Sequence, residues 1–76
     1  MKLQCNNSGA WKQVNTFRLQ DIEFVKSGVA GLAHAAAKAG DSTTWRILDG
    51  AEHVAAYLID PAKGWDERIA HKDLTP

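Results

Sequence analysis

Two apolar runs, Thr43–Leu48 (TTWRIL) and His53–Ile59 (HVAAYLI), flank the four residues Asp49-Gly50-Ala51-Glu52. Their reading decides the fold. Thr, Trp, Ile, Val and Tyr favour strands, and Asp-Gly between two such runs signals a hairpin. The first run alternates, with Trp45 and Ile47 on one face and Thr44 and Arg46 on the other. The second does not: Val54, Ala56 and Leu58 share one face, and Ala55, Tyr57 and Ile59 share the other. A strand apolar on both sides is usually covered on both sides. The expectation is a hairpin with more apolar surface than one helix can hide.

Upstream, Ser27–Ala39 is Ala-rich and ends before Gly40, which suits the left-handed residue just past a helix. Ser27 offers an N-cap and Gly28 the first helical position. Val29, Leu32, Ala33 and Ala36 then share one side, and His34 and Lys38 the other. Leu19–Val25 (LQDIEFV) fits either a strand or the first turns of that helix. Its concentration of Phe, Val and Ile favours the strand. A first strand starts at Ala10 and runs through Trp11, Val14 and Phe17. Trp11 and Val14 have opposite parity, so either both faces are partly covered or a bulge shifts the register. Residues 1–9 end in Asn-Asn-Ser-Gly and read as a turn or frayed tail. Downstream, Asp60-Pro61 ends the hairpin, Gly64 allows a turn, and Trp65 folds back as a lid on the core edge. Asp66–His71 fits one helical turn, and residues 72–76 read as a frayed tail. The fold expected is α+β in one domain spanning residues 1–76. It has a small antiparallel sheet of three or four strands, in ββαββ order, with one helix packed on one face.

The totals narrow the function classes. The chain has 76 residues, of which 45% are hydrophobic, so a folded domain with a thin stability margin is expected. Nine basic and nine acidic residues cancel, unlike a strongly basic nucleic-acid binder or an acidic DNA mimic. The cancellation hides an asymmetry. Residues 1–40 carry five Lys/Arg and two acids, net +3, and residues 41–76 carry four and seven, net −3. Cys5 is the single cysteine, so no intramolecular disulfide is expected. MKLQCNNSG has no apolar core of a signal peptide, and no window is apolar enough for a membrane helix. A cytoplasmic protein without membrane partners is the expectation.

No catalytic constellation stands out. His34, His53 and His71 lack metal-type spacing. His53 with Glu52 and Asp49 could make an acid–base cluster, but acids in turns usually serve the turn. Gly28-Val-Ala-Gly31 has the Gly-x-x-Gly spacing of backbone-clamping loops without a basic residue between the glycines. We therefore expect a non-enzymatic binding protein with no cofactor and no bound metal. Arg46 and Tyr57, on the strand faces opposite Trp45–Ile47 and Val54–Leu58, are the best candidates for a partner surface. Lys12, Arg18 and Lys38 add basic candidates, and Trp65 an aromatic one. The partner expected is a protein, either a host complex or a second copy of the chain. Nucleic acid, using Lys12, Arg18, Lys26, Lys38 and Arg46, is the alternative.

The order strand–strand–helix–strand–strand, with IEFVKSGVAGLAHAAAKAG leading into TTWRILDG, AAYLI and GW, resembles several tiny proteins of phages and other mobile elements. Some of these are type I anti-CRISPR proteins, which bind an RNA-guided surveillance complex and block target DNA. The layout is also similar to that of small bacterial domains of unknown role. The resemblance covers residues 10–65 and carries over no binding residue. It implies a non-enzymatic inhibitor that acts by occlusion.

Overall fold

The computed structural model describes residues 1–67. They form strands β1 (Lys2–Asn6) and β2 (Lys12–Thr16), a 3-10 turn (Leu19–Asp21) and helix α1 (Ile22–Lys38). Strands β3 (Thr44–Leu48), β4 (Val54–Leu58) and β5 (Asp66–Glu67) follow. The sheet is antiparallel, in the order β2-β1-β3-β4-β5. The fold is α+β with one helix on one sheet face, as expected, but with five strands rather than three or four.

The hairpin forms where the two apolar runs place it. Trp45 pairs with Leu58 and Arg46 with Tyr57. A bulge then shifts the register between Ile47 and Leu48 and leaves Ala55 as the extra residue of β4. That bulge resolves the doubly apolar reading of this strand. Ala55 joins the core cluster, Ala56 is fully buried opposite Ile47, and Leu58 is buried beside them. Tyr57 is half-buried on the other face and Ile59 is exposed.

Residues 1–9 were expected to fray, yet β1 is a central strand, paired with β2 on one side and β3 on the other. Its sequence, KLQCN, hides this because Leu3 alone among its residues is buried. The first strand expected from Ala10 is β2, shorter and at the sheet edge. Its mixed parity has the anticipated cause, a bulge that makes Val14 the extra residue between Asn15 and Gln13.

The strand expected over Leu19–Val25 is instead the 3-10 turn and the start of α1. Ser27 and Gly28 consequently lie inside the helix and cap nothing. The spacing of Ile22, Val25, Val29 and Ala33 explains the outcome. It makes one stripe facing Leu3, Ile47 and Leu58 across the sheet, and this packing overrides the strand preference of Ile, Phe and Val. At the other end, Gly40 adopts φ +93°. Its N–H donates to the Ala37 carbonyl at 3.0 Å, and the Asp41 N–H donates to that of Ala36 at 3.0 Å, the paired bonds of a Schellman motif.

After β4, the Asp60 carbonyl accepts from the Lys63 N–H at 2.9 Å, and Gly64 turns the chain with φ +81°. Trp65 then packs against the core edge, as expected, and its indole N–H donates to the Lys26 carbonyl at 2.8 Å. Asp66 and Glu67 form β5 rather than the start of a helical turn. The remainder of that expected turn, with His71, and the tail expected over residues 72–76 lie outside the described residues.

Candidate functional site: the uncovered sheet face

Helix α1 covers the sheet face that carries Leu3, Trp45, Ile47 and Leu58. Among the described residues no second helix covers the other face. Register places Gln4 opposite Arg46, and Arg46 opposite Tyr57, across three adjacent strands. The Arg46 Nε–H donates to Gln4 Oε1 at 2.8 Å. The guanidinium carbon lies 4.3 Å from the centroid of the Trp11 ring, a cation–π stack. Trp11, just ahead of β2, also meets the Tyr57 ring at 6.3 Å between centroids, tilted by 49°. Trp11, Arg46 and Tyr57 are all half-buried. The result is a Trp–Arg–Tyr cluster held together by contacts within the chain.

Two of the six candidate residues, Arg46 and Tyr57, come together here. The other four do not join them. Lys12 pairs with Cys5, which by register belongs to the helix side of the sheet. Arg18 is exposed ahead of the 3-10 turn, and Lys38 is exposed in the last turn of α1. Trp65 is tied to α1. Sequence reasoning did not choose Trp11, because it considered each basic residue with its neighbouring tryptophan, Lys12 with Trp11 and Arg46 with Trp45, and strand parity sets such neighbours on opposite faces. Parity does hold there, and the ring that Arg46 meets comes from the β1–β2 connection. Trp45 and Trp65 pack on the core, and of the three tryptophans only Trp11 reaches the open face.

The charge on this face is balanced. Lys2 Nζ pairs with Glu52 Oε2 at 2.5 Å, and Asp66 pairs in register with Tyr57. On the helix side, Lys26 makes an ion pair with Glu67. Both links join a base of the N-terminal half to an acid of the C-terminal half. The +3 and −3 halves of the sequence are therefore partly neutralised across the sheet.

The residues weighed for acid–base chemistry serve the turns. Asp49 Oδ1 accepts the Ala51 N–H at 2.8 Å and the His53 N–H at 3.0 Å. Chiefly through the His53 bond, its carboxyl is held below the ordinary value of 3.8. The Thr43 hydroxyl and N–H, donating at 2.6 and 2.8 Å, lower the Asp41 carboxyl in the same way. Asp41 lines a small cleft of about 120 Å³ with Leu32, Ala33, Ala36, Thr43 and Trp45. Among the described residues, no three His, Cys, Asp or Glu side chains are grouped to hold a metal ion. No helix among the described residues is long and apolar enough to cross a membrane.

The class defined by this geometry is a small α+β domain with one sheet face left open around a preset aromatic–arginine cluster. No protein-family model, curated protein or solved structure matches the chain.

Proposed function

We propose that the chain is a non-enzymatic protein-binding module whose open sheet face receives a protein partner at Trp11, Arg46 and Tyr57. The observation that carries this reading is the Arg46–Trp11 stack with Tyr57 beside it. Trp, Tyr and Arg are the residues most enriched at binding hot spots, and here a hydrogen bond and a cation–π contact set Arg46 against Trp11, with the Tyr57 ring beside that of Trp11. A preset cluster loses little side-chain freedom on binding. Balanced charge on the face favours a protein over nucleic acid, whose affinity comes largely from basic residues meeting phosphates. A module of this size blocks a larger machine by covering one of its surfaces. We therefore extend the reading to a phage-type inhibitor of a host defence complex, acting by occlusion in the cytoplasm.

The test is capture from a host lysate by the immobilised chain and by its Arg46→Ala/Tyr57→Ala variant, at low and high salt. The reading expects a protein retained by the first and lost by the second, with modest dependence on salt. Identical retention by both, or none by either, overturns it. Retention of nucleic acid with affinity falling steeply in salt would replace it with the alternative.

A further inference from the structure

A second apolar surface lies on the opposite side of the molecule, along the outer face of α1. Phe24 is 81% exposed. Gly28, Gly31 and Ala35 are exposed with it. Helical spacing puts residues 24, 28, 31 and 35 on one line, where a solvated helix ordinarily carries polar side chains. The two glycines have no explanation within a single copy. A Cβ added to either meets nothing within 4 Å, and neither has a positive φ. Glycine inside a helix is destabilising relative to alanine.

We propose that this line is a self-association surface, on which a second copy of the chain docks through its own α1, antiparallel, with the crossing at Gly28 and Gly31. Symmetry selects the second copy as occupant. Gly28 and Gly31 flank the middle of Ile22–Lys38. A two-fold rotation there sets Gly28 on Gly31 of the other copy and Phe24 on its Ala35, a small surface that accepts a ring. An isologous contact requires this self-complementary pattern. Charge selects the same arrangement. Glu23 lies in the first turn, in a loose 3.9 Å ion pair with Lys26 that leaves it largely exposed, and Lys38 lies in the last, both on one flank of the line. Antiparallel docking brings each Glu23 beside Lys38 of the other copy and opposes the two helix dipoles. The missing glycine side chains let the axes approach at the short end of the usual 8–10 Å range. The surface is one helix wide, so the dimer is weak and concentration-dependent. It is separate from the Trp11–Arg46–Tyr57 face and does not rest on that reading.

Sedimentation of the full chain from micromolar to millimolar concentration tests it. The mass should rise from the 8.3 kDa of one copy toward twice that value. Gly31→Gln should act in two directions. It adds a better helix former in open space, so the thermal midpoint of the dilute monomer rises, while association weakens roughly tenfold or more. Glu23→Lys should weaken association, and adding Lys38→Glu should restore it. A monomer at every concentration overturns the proposal. So does association that Gly31→Gln leaves unchanged, or association abolished by Arg46→Ala instead.

Discussion

At the scale of single residues, the β3–β4 turn shows how a correct signal can carry a wrong reason. Asp49-Gly50 marks the turn, and glycine there suggests a left-handed position. In the structure Gly50 has no positive φ, and Glu52 instead sits at φ +67°. The turn is closed by Asp49: its carbonyl accepts the Glu52 N–H at 3.0 Å and its carboxylate takes the N–H groups of Ala51 and His53. A Cβ on Gly50 meets nothing within 4 Å. Gly50→Ala should therefore leave stability unchanged or raise it by about 0.4–1 kcal/mol through the unfolded chain. Thermal unfolding checks this, and a clear loss would show that the turn needs glycine after all. Asp49→Ala should lower the midpoint at neutral pH. Because the folded carboxyl is held below 3.8, its contribution is present above that pH and fades as pH falls through the lower, folded value. The gap between Asp49→Ala and the parent should accordingly narrow in acid. A gap constant from pH 7 to pH 2 would show that the carboxylate charge plays no part.

At the scale of elements, the hairpin, the C-terminal end of α1 and the mixed register of β2 were legible in the sequence, while β1 and the start of α1 were not. The hairpin was legible because its residues agree in propensity, alternation and turn chemistry. β1 was illegible because it is held by its neighbours: its ladders on both sides are backbone bonds, which any sequence can make, and Leu3 alone is buried among its residues. Leu19–Val25 misled because strand parity places Ile22 and Phe24 together, whereas the helix sends Ile22 to the core and Phe24 to solvent. The exposed face of α1 could not be anticipated under the strand reading. The glycines of this helix have separable roles. Gly40 is held at φ +93°, so Gly40→Ala should lower stability by about 1 kcal/mol or more. Gly28 lies mid-helix with open space around it, so Gly28→Ala should raise the stability of the dilute monomer by roughly 0.5–1 kcal/mol. Denaturant titrations of the two variants should move in opposite directions, and a shared direction would mean that the helix boundaries are misplaced.

For the whole molecule, the margin is set by a very small core. Ile47 and Leu58, on adjacent strands, are the largest fully buried side chains, and α1 meets the core through buried Val29 and Ala33 and half-buried Ile22 and Val25. Leu58→Ala should cost about 2–5 kcal/mol, much or all of the stability of a domain this size, and the expected result is loss of the cooperative transition. The returning C-terminal segment adds to the attachment of the helix. Trp65 packs on the core edge and donates its indole N–H to the Lys26 carbonyl, and Glu67 in β5 pairs with the Lys26 ammonium. Both contacts meet the same residue, whose side chain is only 13% exposed. Aromatic area and hydrogen bond can be separated. Trp65→Phe keeps most of the ring packing and removes the donor, so it should cost about 0.5–1.5 kcal/mol. Trp65→Ala removes the packing as well and should cost about 3–5 kcal/mol. If the two variants unfold at the same denaturant concentration, the hydrogen bond rather than the ring fastens the segment. If Trp65→Phe matches the parent, packing alone does so. The expected order, parent above Trp65→Phe well above Trp65→Ala, would show that a tryptophan legible in the sequence only as a lid ties the helix to the edge of the sheet.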